Sequence, residues 1–206
     1  MRRCAPLGAL ACLAALCAGC ASTPPPPPSR PACLADLAHA YDVEGMVNHS
    51  QADTLEAAHH IIEGARSGYG DALTRLTPEQ RSRFDAATDR FVTAARATPD
   101  ASQAAAVWAQ GYGADLNDAL LCQIADFART PAGEELFANG GNPAGLGADE
   151  LKMVVRFART PAGAQQPAAS AAAAAALRSW LAQERSTRID AAAQRYLGEL
   201  RVIMGY

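Results

Sequence analysis

Seven consecutive residues, Phe127-Ala128-Arg129-Thr130-Pro131-Ala132-Gly133, recur unchanged thirty residues later as Phe157-Ala158-Arg159-Thr160-Pro161-Ala162-Gly163. Proline has no backbone N–H, so it starts a helix readily and continues one poorly, and a threonine just before it is an N-cap. Each copy therefore reads as a helix-to-helix corner: the aromatic anchors one helix end, the arginine lies near that end's negative dipole, and Thr-Pro opens the next helix. Preceding positions keep their character, Leu121 matching Leu151 and Ile124 matching Val154, while Cys122 falls on Lys152. That last match places Cys122 on an outward face. An alternative use of the same atoms is a pair of anion sites, formed by Arg129 with Thr130 and Arg159 with Thr160 at the free N–H groups of the helix starts.

The rest of the body extends the helical reading. No stretch alternates β-branched and polar residues as a half-buried strand requires. Helices are expected from Leu34 to about Val47 and from Ala52 to about Glu63. Thr77-Pro78-Glu79-Gln80 is a capping box that opens a helix with Phe84, Ala87, Phe91 and Ala95 on one stripe. Thr98-Pro99 is expected to start a helix carrying Trp108 and ending before Gly111, and Asn117 to cap another running to Arg129. From about Ala164 to Ile203 one long helix is expected, with Ile189, Ala193, Tyr196, Leu200 and Ile203 as its seam. Half of the residues are hydrophobic, but only 6% are aromatic and about a quarter are alanine. Alanine favours helix and contributes little apolar area, so the expected fold is an all-α helical bundle with a modest core.

The N-terminus reads as an address. Met1-Arg2-Arg3 is a positive segment, Cys4 to Ala18 is uncharged and apolar, and Ala18-Gly19 places small residues before Cys20. The layout resembles a bacterial lipoprotein signal, residues 1–19, cut before a cysteine that takes the lipid. Cys17 stands where leucine is usual, with Leu16 one place earlier, and ordinary secretion is the alternative. Residues 20–32 include Pro24 to Pro28 and read as an extended tether reaching up to about 40 Å. Residues 33–206 are expected to form a single domain. By resemblance to sorted lipoproteins, Ala21-Ser22 after the cysteine favour the outer membrane on its periplasmic side.

Processing would leave 16 basic against 21 acidic side chains, which gives no electrostatic reason to bind nucleic acid. It would also leave Cys33 and Cys122 as the two thiols not taken by lipid. In an oxidising compartment these are expected to pair, the alternative being free thiols.

Tyr112, Leu116, Asn117, Leu121, Ile124, Phe127, the run from Arg129 to Gly133, and Glu134-Glu135-Leu136 together resemble the bacterial envelope family called domain of unknown function 2059. The resemblance covers about the middle third of the chain. It implies an exported helical domain and carries over no catalytic residue.

Motifs for chemistry are sparse. Glu56 and His59, with His60 and Glu63, match half of a bundle di-metal site whose second half is missing, so a solvated helix face is expected rather than a metal site. Gly140, Gly141, Gly145 and Gly147 lack the Lys-Ser/Thr of a phosphate loop, and no nucleophile elbow occurs. No cofactor is called for. The expected function is a non-catalytic binding or scaffold module, held at the membrane by acyl chains on Cys20 and facing an envelope protein partner. The alternative is a small-ligand carrier or enzyme whose site is assembled from residues distant in sequence.

Overall fold

The computed structural model describes residues 28–206. The signal, Cys20 and most of the tether lie outside the described residues. Helices follow one another as α1 (Arg30–Ala40), α2 (Val43–Tyr69), a 3-10 stretch (Gly70–Arg75), α3 (Pro78–Arg96), α4 (Ala101–Gly113), α5 (Asp118–Ala128), α6 (Pro131–Ala138), α7 (Ala148–Ala158) and α8 (Pro161–Arg185), then a π-turn (Ser186–Asp190) and α9 (Ala191–Met204). No strand occurs among the described residues, and the fold is all-α. None of the described helices is long and apolar enough to cross a membrane.

Local chemistry explains most helix starts. At α3 the Thr77 hydroxyl accepts from the Gln80 N–H at 3.2 Å and the Gln80 carbonyl oxygen accepts from the Thr77 N–H at 3.0 Å, closing the capping box. Asn117 accepts from the Leu120 N–H at 2.9 Å and starts α5. Helix α4 starts later than the Thr98-Pro99 pattern predicts: its cap is Asp100, which accepts from the N–H groups of Ser102 and Gln103. Hydrogen bonds from Ser102 and Gln103 hold the Asp100 carboxyl below the usual aspartate range.

Several helix boundaries differ from the periodicity, and the helix expected from Ala52 to Glu63 is the middle of α2, Val43–Tyr69. The expected helix from Leu34 to Val47 begins four residues early at Arg30, so residues 30–32 belong to α1 rather than to the tether, and it breaks at Tyr41-Asp42. Asp42 adopts a left-handed conformation, φ 48°, and caps α2 by accepting from the Gly45 N–H at 3.1 Å. Helix α4 continues through Gly111, where a Cβ would lie 3.0 Å from the Ala173 Cα. Gly111 faces the alanine tract of α8, and small residues on both sides let the two backbones approach closely. Pro161 begins the long C-terminal run, Pro167 lies within it, and a π-turn divides it into α8 and α9.

The two copies of the repeat adopt one geometry. The Thr130 hydroxyl donates to the Phe127 carbonyl at 2.7 Å and accepts from the Gly133 N–H at 3.1 Å; at the second corner the distances are 2.7 and 3.0 Å. A Cβ on Gly133 would lie 2.0 Å from the Phe127 carbonyl oxygen, and one on Gly163 2.1 Å from that of Phe157, so glycine is required at both. The corners meet through their aromatics: the Phe127 and Phe157 rings stack with centroids 3.9 Å apart and planes 5° from parallel.

Buried side chains gather into two cores. The first joins Leu37, Val47, Trp108, Tyr112, Leu121, Ile124 and Phe137, and the second Ile62, Phe84, Phe91, Ile189, Tyr196, Leu200 and Ile203. The expected seam of the C-terminal helix thus packs against the expected stripe of α3, with Tyr196 stacked on Phe91 at 5.0 Å. Helix α2 and the α8–α9 run contribute to both cores. Between them the side chains become polar: the Gln51 amide donates to the Ala95 carbonyl at 2.5 Å, and Arg188, in the π-turn, donates to the Ala97 carbonyl. Both bonds satisfy carbonyls at the C-terminus of α3 that have no partner within that helix.

Helices α1 and α5 lie side by side and parallel, joined in register at three levels. Arg30 pairs with Asp118 at 2.8 Å, Cys33 is bonded to Cys122, and Asp36 pairs with Arg129. The disulfide spans 89 residues, a loop for which chain entropy predicts a contribution of about 4 to 5 kcal/mol. Cys33 is fully buried, and Cys122, which the sequence places on an outward face, is half-buried and packs against the first core because its partner lies there.

Replacing Gly133 or Gly163 with alanine is expected to lower stability by about 2 to 4 kcal/mol, since backbone must move to relieve the contact. Gly64→Ala, inside α2 with open space around it, is expected instead to stabilise by about 0.5 to 1 kcal/mol. Urea unfolding of the three variants checks both signs.

Candidate functional site

The candidate anion sites at the corners are already occupied by the protein's own groups to different degrees. Arg129 is held by Asp36 and by Asp126, the second at 2.6 Å, and its hydrogen bond with Asp36 raises its pKa further. Thr130 and Thr160 use their hydroxyls within the corner as donor and acceptor. Arg159 caps the end of α7 and makes no ion pair among the described residues. The two copies are therefore alike in backbone and unlike in charge.

On α2 the residues Glu56, His59, His60 and Glu63 do not converge. They are exposed; His60 stands 3.7 Å from Glu56, and Glu63 pairs with Arg66 at 3.0 Å. No group of three metal-ligating side chains comes together among the described residues. The glycine-rich connector has Gly140, Gly141 and Gly145 in left-handed conformations, and Gly147 opens α7 by donating its N–H to Glu150 at 2.7 Å. Its glycines serve the turn.

A wide concave feature lies elsewhere, between α2 and α8. It is an open groove of about 820 Å³, floored by Met46, Ala174, Leu177 and Leu181 and closed at one end by Tyr41 and Ala138. Its α2 wall carries Asp42, His49 and Asp53, and its α8 wall carries Arg178 and Arg185. Asp42 is committed to its cap, and His49 lies 4.0 Å from Asp53. The positions follow from helical spacing: residues 42, 46, 49, 50 and 53 share one face of α2, and residues 174, 178, 181 and 185 one face of α8.

Tyr41 ties the groove to the first core. Its ring stacks on Phe137 with centroids 4.8 Å apart and leans on Trp108 at 5.2 Å, while its hydroxyl accepts from the Gln166 side chain at 2.5 Å. Tyr112 lies behind it, fully buried, and burial pushes its hydroxyl far above the usual tyrosine range. So this aromatic cluster forms the wall at the Tyr41 end of the groove. Trp180, half-buried, packs on the same core, and Tyr196 belongs to the other.

Sequence reasoning missed this groove. The signal present was the pairing of Leu177 with Leu181 and of Arg178 with Arg185 on one side of a helix, directly after an alanine tract. Nothing in the sequence alone shows that α2 brings Met46 and Asp53 opposite them.

The charge difference between the corners is testable. Arg129→Gln is expected to lower stability by up to about 1 kcal/mol, as for a half-exposed ion pair, and Arg159→Gln to leave it unchanged. Equal losses in urea unfolding would contradict unequal roles. Comparison of the chain with family models, with characterised proteins and with solved structures finds no match.

Proposed function

We propose that this protein is a lipid-anchored module of the bacterial envelope, attached through Cys20 to the outer membrane on its periplasmic side, that binds another envelope protein and catalyses no reaction. The observation that carries this reading is the clamp where the tether meets the fold. Arg30 donates to the Leu116 carbonyl at 2.9 Å, to the Gly113 carbonyl and to Asp118, and three residues later Cys33 is bonded to Cys122. A Cβ on Gly113 would lie 2.7 Å from the Arg30 guanidinium, so glycine makes room for it. A body hung from an anchored tether needs its first helix fixed, and a disulfide does so where thiols are oxidised.

The groove supports the binding half of the reading. It is open, apolar along its floor and charged along its walls, which suits a docking surface better than an enclosed reaction chamber. The resemblance of residues 112–136 to domain of unknown function 2059, which no family-model match backs, is a further reason to expect export.

Two measurements test the proposal. Cys20→Ser is expected to move the protein from the outer-membrane fraction to another fraction and to abolish incorporation of labelled palmitate; unchanged fractionation would refute the anchor. Native mass spectrometry and elemental analysis of the wild-type protein are expected to find neither small ligand nor metal at stoichiometric level. Finding either would favour the carrier or enzyme alternative.

A further inference from the structure

Arg178 and Arg185 are seven residues apart on α8, which places them on one edge of the groove about 10 Å from each other. Both are exposed, and neither joins an ion pair or a side-chain hydrogen bond among the described residues, whereas Arg188 on the following turn pairs with Glu184 and the Ala97 carbonyl. Below them Leu177 is buried, Leu181 is half-buried and Met46, across the groove, is 39% exposed. On the far wall the carboxylate of Asp53 faces the groove beside His49. The groove runs along α2 from residue 42 to residue 53, a length of about 16 Å, or three turns of an α-helix.

We propose that this groove binds an amphipathic helix of the partner protein, one whose apolar stripe is flanked on one edge by two acidic residues seven positions apart and on the other by a basic residue. The inference rests on the reading of the chain as a binding module and specifies the kind of partner. The two arginines decide the class of occupant. A single-chain fatty acid brings one carboxylate and gains from an enclosed apolar tunnel, while this groove is open and offers two cations two helical turns apart. A helix lying along α8 presents side chains at the same repeat, so both cations meet an anion at once. Its apolar stripe covers Leu177, Leu181 and Met46, and methionine adapts its shape to different partners. Its opposite edge faces Asp53, where a basic side chain is favoured.

The test uses the full-length mature protein and a labelled synthetic helix of about 14 residues with a leucine stripe, two glutamates seven positions apart on one edge and a lysine on the other. A second peptide has both glutamates replaced by lysine. Fluorescence anisotropy is expected to show binding of the glutamate peptide, weakened by raised salt. Either Arg178→Glu or Arg185→Glu is expected to weaken it by about fivefold or more, and the double variant by more than about tenfold. The double variant, with its thermal unfolding unchanged, is expected to bind the lysine peptide in preference. Equal binding of both peptides to the wild type, or binding of neither, would overturn the proposal. So would sodium dodecanoate that binds one per chain and displaces the peptide, which would make the groove a site for a small amphiphile. Failure of the peptides alone, with no small ligand in native mass spectrometry, removes the groove and leaves the module reading to other surfaces; a stoichiometric small ligand removes both.

Discussion

The close approach of the repeat glycines to the carbonyl groups of the preceding phenylalanines governs the first core. A Cβ at 2.0 Å from backbone oxygen is not accommodated by side-chain adjustment, so the chain turns in this manner only with glycine at positions 133 and 163. Threonine closes the turn by bonding both of the helix ends it separates, and proline sets the first helical residue. Two corners of identical shape then place Phe127 on Phe157. The second corner also sends α8 back along α4, where Gly111 and the alanine tract permit the contact that makes this the most extensive helix pairing in the fold.

From that contact follows the division of the molecule. Helix α8 leaves the first core beyond Leu181, and its continuation joins the second through Ile189 and Tyr196. Helix α2 makes the same passage between Val47 and Ala58. Where both cross, apolar packing gives way to Gln51 and Arg188 bonding the end of α3. Along the same stretch of α2 and α8 lies the open groove. The groove lies where these two helices pass from one core to the other, and Arg178 and Arg185 on its edge join no ion pair among the described residues, with the carboxylate of Asp53 on the opposite wall.

How far the sequence specified these features depended on the range of the interaction. The capping box at Thr77, the cap at Asn117, the Phe84 to Ala95 stripe and the seam from Ile189 to Ile203 are set by residues a few positions apart, and all were legible. The bond between Cys33 and Cys122 was legible because a lipoprotein signal, if cut before a lipid-bearing Cys20, would leave just these two thiols to pair. The break at Asp42 was not, since it needs a left-handed residue where neither glycine nor proline stands. The continuation of α4 through Gly111 was hidden for the opposite reason: a glycine that reads as a stop serves close packing against α8. The π-turn and the groove depend on the distance between helices remote in sequence, which periodicity does not carry.

If the repeated corners serve the fold and the proposed docking face is the α2–α8 groove, crosslinks to a partner should form from the groove and not from the corners. Site-specific photocrosslinking in intact cells tests it most directly, with the photoreactive residue placed in turn at Met46 and Leu181 in the groove, at Arg159 on the second corner and at Leu197 on α9. One envelope partner is expected to be captured from both groove positions and not from the other two. Capture from Arg159 or Leu197 with none from the groove would contradict it.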